Sequence, residues 1–182
     1  MNRTSLICIV ASITVLSTWA LVRSAPEMNT GRASDITLSL ARIDRIGLLV
    51  ADMPETLTDT GITNDQIIEN WTGRLAKIGI EVVAPDRKVP VLELRILSGT
   101  PPQLSDDVVL TTVTLTLRQP ATIERVERTL IVPTYVHPVS QISKRDVLAA
   151  STARTLDNQM GRFLSNVRVA NLVIPPKSRR AP

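Results

Sequence analysis

From Val108 to about Ile123 the chain alternates with a period of two. Val109, Val113, Leu115 and Leu117 fall on one side, and Thr112, Thr114, Thr116 and Arg118 on the other. Successive side chains of a strand point to opposite faces, so this pattern requires a long strand with one face on a core and the other in water. The rest of the chain must then supply sheet neighbours and a cover for one face only. Pro120 lacks an amide hydrogen, which predicts an edge position or a bulge there. Glu124, Arg125, Glu127 and Arg128 read as a charged hairpin turn. Thr129 to Val136 then returns antiparallel, and His137-Pro138 is expected to end it.

The remaining elements are shorter. Ile43 to Asp52 is an apolar run stopped by Met53-Pro54 and predicts a buried first strand. Thr63-Asn64-Asp65-Gln66 is a capping box, because the Thr63 hydroxyl can take the Gln66 amide hydrogen while the Gln66 side chain reaches back to Thr63. Behind it Ile67, Ile68, Trp71, Leu75 and Ile78 share one helical face, and Gly79 suits a left-handed helix end. Ile80 to Ala84 and Val91 to Leu97 predict two more strands, divided by Pro85-Asp86 and Pro90. A last helix is expected from Ser143 to Asn166, capped by Ser143 with Asp146, and carrying Leu148, Thr152, Leu156, Met160, Phe163 and Val167 as one stripe.

This order, β-α-β-β-β-β-α, predicts a two-layer α+β domain with both helices on one face of a mostly antiparallel sheet. Three segments carry a resemblance: Gly61 to Val83 with Arg74-Leu75-Ala76-Lys77-Ile78-Gly79, then Val91-Leu92-Glu93-Leu94, then Val113 to Pro120 with Leu117-Arg118-Gln119-Pro120. Together they resemble a family of small exported bacterial proteins of unknown function, with fold-level similarity to the amino-terminal, anticodon-binding-like domain of the translocation protein TolB. The resemblance spans roughly residues 43 to 171 and departs from the family pattern at Tyr135 to Gln141. It implies an envelope setting and no catalytic residues.

The ends of the chain differ from its body. Arg3, the seventeen uncharged residues Leu6 to Val22, and Arg23 form the pattern of a secretory signal, residues 1 to 25, cleaved after Ser24 or Ala20 or else retained as a membrane anchor. Residues 26 to 37 read as a flexible spacer, 38 to 171 as a single domain and 172 to 182 as a basic, proline-containing tail. Cys8, the only cysteine, lies inside the signal, so the mature domain has no disulfide. Arg3, Arg23, Lys177, Arg179 and Arg180 sit in these ends, and setting those five aside takes the net +4 to about −1 for the body. With one Tyr, one Phe and two Trp, the chain lacks the stacking aromatics and basic face of a nucleic-acid binder. Membrane contact is expected only through residues 6 to 22, if they are retained.

Chemistry-bearing residues are sparse. His137 is the only histidine, and no Gly-x-Ser-x-Gly elbow presents Ser140 or Ser143 to it. One histidine and no mature cysteine leave zinc without an ordinary ligand set, and Asp52, Glu55, Asp59 and Asp65 lack calcium-loop spacing. No catalytic, cofactor or metal residue is assigned. Glu93 is expected to pair with Arg118, and Trp71 to pack in the core. The sequence therefore favours a non-enzymatic exported domain, periplasmic or secreted, that binds an envelope protein partner through an exposed edge near Pro120 or Thr129 to Val136. The alternative is a small-ligand binder or hydrolase with a cleft formed by Asp106, Tyr135 and His137. Amino-terminal sequencing of the protein recovered from cells is expected to begin at Ala25 or Leu21; a start at Met1 identifies a retained anchor.

Overall fold

The computed structural model describes residues 34–103 and 105–174, all within the unit Ala33–Pro182. The signal segment, spacer residues 26 to 33 and tail residues 175 to 182 lie outside the described residues. The elements are α1 (Asp35–Leu38), β1 (Arg45–Val50), α2 (Glu55–Thr58), α3 (Asn64–Ala76), β2 (Glu81–Val83), β3 (Val91–Gly99), β4 (Val108–Ile123), β5 (Arg128–Lys144) and α4 (Leu148–Val173). Apart from the short helices α1 and α2, the order is the expected β-α-β-β-β-β-α. The five strands form one sheet in the order β2-β1-β3-β4-β5. β1 runs parallel to β2 and β3, and the long β3-β4-β5 portion is antiparallel. Among the described residues no helix is long and apolar enough to cross a membrane.

Helices α3 and α4 cover the same face of the sheet. Ile67, Trp71 and Leu75 of α3 join Ile46, Leu92, Leu94, Leu115 and Leu117 of the strands and Leu156, Met160 and Phe163 of α4 in one core. Arg74 on α3 reaches Asp157 on α4 at 3.1 Å, tying the two helices along their outer rim. Trp71 is buried in this core, as its helical spacing requires. The α3 start carries both halves of the capping box. Its end turns through Gly79 at φ +82°, a conformation that costs an L side chain about 1–2 kcal/mol. Gly47 has a different role: a β-carbon there would stand 2.8 Å from the Pro85 Cα, so the β1 backbone and the loop after β2 touch directly.

Two expected boundaries are corrected. His137-Pro138 does not end β5, which continues to Lys144 and stays paired with β4 as far as Val108. The Arg145 amide donates to the Asp107 carbonyl, and hydrogen-bonded pairs alternate along an antiparallel ladder. Residues 143, 141, 139, 137 and 135 are therefore bonded to β4, while 144, 142, 140, 138 and 136 turn their backbone outward. Pro138 has its nitrogen on the open side of the outermost strand, where no ladder bond is lost. The same alternation points the Pro120 nitrogen toward β3, which has already ended opposite Arg118. A register shift at Leu117/Arg118 leaves Thr134 as an extra residue, so both an edge position and a bulge accompany Pro120.

The second correction concerns the last helix. Ser143 does not cap it, because it is held opposite Val109 in the ladder and its hydroxyl meets Ser151 Oγ at 2.8 Å. A 3-10 turn, Arg145–Val147, intervenes, and α4 starts at Leu148 without a side-chain cap. It also runs past Asn166 to Val173, since Val167 and Ala170 extend the buried stripe and Asn171 Oδ1 accepts the Arg42 amide at 2.8 Å. Thr63→Ala is expected to lower the unfolding free energy by about 1 kcal/mol. Gly79→Ala is expected to lower it by about 1–2 kcal/mol, both read from urea midpoints at unchanged m-value.

Candidate functional site

Extending β5 to Lys144 brings a set of polar side chains under the sheet. The β5 residues that face the helices are Tyr135, His137, Val139, Gln141 and Ser143. Opposite them α4 presents Ser151, Thr155, Gln159, Arg162 and Asn166, which recur at helical spacing beside the apolar stripe. A hydrogen-bonded seam results. Ser151 Oγ donates to the Leu148 carbonyl at 3.0 Å, so the Ser143 hydroxyl donates to Ser151. Thr155 Oγ1 lies 2.6 Å from Gln141 Oε1 and 3.0 Å from the Ser151 carbonyl, sharing its hydrogen between them.

Gln159 is the centre of the seam and is 2% exposed. Its Nε2 donates to the Val113 carbonyl at 3.3 Å and the His137 carbonyl at 3.1 Å. Those two acceptors fix the amide orientation, so Oε1 is the atom that meets His137 Nδ1 at 2.7 Å. Nδ1 must then carry a hydrogen, and Nε2 is left as the ring nitrogen free for other partners. Tyr135 stacks near the His137 ring at 6.3 Å and meets Phe163 edge-on at 5.7 Å. Its hydroxyl is buried and meets no partner in full hydrogen-bond geometry, although the Asn166 side chain stands close enough to act on it. Burial pushes the phenol above its ordinary range, against the opposing influence of the Asn166 side chain and the Arg162 charge.

A notch of about 180 Å³ opens along this seam, lined by His137, Val139, Thr155, Asn158, Gln159 and Arg162. A second depression of about 200 Å³ lies between α3 and α4, with Trp71 and Leu156 in its floor and Gln66 and Asn70 among its lining residues.

Tyr135 and His137 do come together, but Asp106 does not join them. It precedes Val108, whereas His137 is opposite Leu115, seven residues further along β4 and more than about 20 Å away. The Asp106 carbonyl accepts from Arg145 Nε at 2.9 Å, and Asp107 Oδ1 accepts from Ser105. The expected three-residue cleft is thus corrected to a two-residue one. His137 has neither serine as a partner: Ser140 faces the opposite side of the sheet and bonds Thr112 at 2.9 Å, and Ser143 lies six residues along the strand. Glu93 sits on the uncovered sheet face, 6% exposed beneath Arg118 at 2.8 Å and Arg95 at 3.1 Å. Among the described residues no group of three or more His, Cys, Asp and Glu side chains is placed to hold a metal ion.

Gln159 and Arg162 had a legible signal, the polar stripe Ser151, Thr155, Gln159, Arg162. It acquires meaning only once β5 is known to run beneath it. Gln159→Leu removes the second donor from two ladder-bonded carbonyls and leaves the His137 Nδ1–H unpaired, and it is expected to cost about 1–3 kcal/mol of unfolding free energy. Tyr135→Phe removes a hydroxyl without a well-formed hydrogen bond and is expected to change stability by less than about 1 kcal/mol, both by urea denaturation.

No family model matches the chain, and no curated protein matches it. Among solved structures it is similar to a minor lipoprotein from Acinetobacter baumannii, at 12% identity and a TM-score of 0.30, over 72% of this chain and 87% of that one. It is also similar to the rare lipoprotein B from Shewanella oneidensis, at 12% identity and a TM-score of 0.28, over 71% of this chain and 90% of that one. Neither likeness bears on the TolB amino-terminal domain.

Proposed function

We propose that this is a non-enzymatic, exported domain of the bacterial envelope that binds an extended segment of a protein partner along the outer edge of β5. The carrying observation is the edge itself. Among the described residues β5 has no neighbour on its outer side, and between Pro138 and Lys144 the amides of Ser140, Ile142 and Lys144 point outward without a ladder partner. An unpaired row of alternating donors and acceptors is the template for strand addition. Pro133 and Pro138 each remove a donor from the rest of the edge, and residues 139 to 144 are its longest run without proline.

The partner's side chains are specified by the flanking surface. Ile142 is 64% exposed and stands opposite Leu110, which has Leu97, 61% exposed, as its diagonal neighbour on β3; all three lie on the sheet face that no helix among the described residues covers. An added strand with an apolar residue opposite Ile142 extends this patch; a polar one does not. The signal segment and the TolB resemblance support an envelope setting. The hydrolase reading loses its acid, because Asp106 precedes the start of β4 while His137 stands opposite Leu115, near the middle of that strand.

The test uses the full chain in cells, with a photo-crosslinking residue in place of Ile142 and, separately, of Val126 at the hairpin tip. A discrete heteromeric adduct from position 142 alone is expected, and it should vanish when Ser140→Pro is added but persist with Ser140→Ala, since both changes remove the hydroxyl bonded to Thr112 and only proline deletes the outward amide. Adducts only between copies of this chain, or an adduct insensitive to Ser140→Pro, would overturn the reading.

A further inference from the structure

The notch beside His137 is not used by strand pairing at the outer edge, and its lining has a specific chemistry. Arg162 brings a guanidinium, and no carboxylate lines the notch. Among the described residues the ion pairs engage Arg45, Arg74, Arg95 and Arg118, and Arg162 is in none of them. Gln159 fixes His137 with a hydrogen on Nδ1, so in the uncharged ring the lone pair is at Nε2, and the ring lines the notch. Asn158 adds an amide and Val139 an apolar wall.

We propose that this notch binds a small hydroxycarboxylic acid, the carboxylate on the Arg162 guanidinium and the hydroxyl donating to His137 Nε2. The guanidinium fork matches a carboxylate with two parallel hydrogen bonds. A single cation balances a monoanion; a phosphate dianion is left with a surplus charge, and neither a lysine nor a glycine-rich loop lines the notch to meet it. A simple carboxylate satisfies Arg162 but places no donor against Nε2. The Val139 side chain covers the carbon skeleton, and at about 180 Å³ the notch exceeds the roughly 30 Å³ share of a single water several-fold.

His137 is the only histidine, so its ring protons give an unambiguous magnetic-resonance signal in the full chain. Titration with lactate at pH 8 is expected to shift that signal saturably, with propionate at least tenfold weaker. Arg162→Gln is expected to weaken lactate binding at least tenfold, while Arg168→Gln, which lies outside the notch on the same helix, leaves it unchanged. Asn158→Ala provides a second, milder variant with an expected weakening of a few-fold. Equal affinities for lactate and propionate, tighter binding of inorganic phosphate, or a lactate response indifferent to Arg162→Gln would each overturn the proposal. Strand pairing at position 142 and ligand binding at Arg162 are read separately, so either can fail alone.

Discussion

The structure depends on β4 having two unlike faces. Its apolar side is sealed by α4 and shared with the α3 core, and its threonine side is left to water. β4 is also hydrogen-bonded on both edges, to β3 through residues 110 to 118 and to β5 through almost its whole length. That double pairing sets the register of everything around it. A slip of one residue on either side would turn Leu115 and Leu117 to solvent, so the alternation itself specifies the pairing.

β5 answers this constraint differently from the inner strands. Where β3 contributes Leu92, Leu94 and Ile96 to the covered face, β5 contributes Tyr135, His137, Gln141 and Ser143. The edge strand is thus fastened to α4 by hydrogen bonds more than by apolar contact. Such bonds are directional, and a buried group left unpaired is costly, so the seam fixes the lateral position of α4 along β5. It also leaves a polar notch where the side chains do not fully close, and an outer backbone edge that proline shields only in part.

Function follows from what these arrangements leave open. The outward amides after Pro138 and the apolar patch of Leu97, Leu110 and Ile142 belong to the wet face and free edge; the His137–Arg162 notch belongs to the covered face. The strand-pairing partner and the small acid proposed above would therefore approach the same strand from different sides. Neither requires a nucleophile, and the serines nearest His137 along β5 are committed to Thr112 and Ser151.

By itself the sequence determined the elements whose signals are local. The capping box at Thr63, the left-handed turn at Gly79 and the span of β4 each rest on residues a few positions apart or on a strict period. The α+β layering follows from them. What only tertiary structure decided was the fate of residues 137 to 147. Proline and serine there carry local signals for ending a strand and capping a helix, yet the long ladder offered by β4 outweighs both, and the outermost position makes the missing proline amide harmless. The site was hidden by the same misreading: with β5 stopped at His137, nothing placed Gln141, Ser143 or His137 against Thr155, Gln159 and Arg162. The hydrogen bonds of Ser143, Gln141 and His137 to the helix join residues 8 to 22 positions apart through the packing of a helix on an edge strand, and no local pattern encodes that pairing.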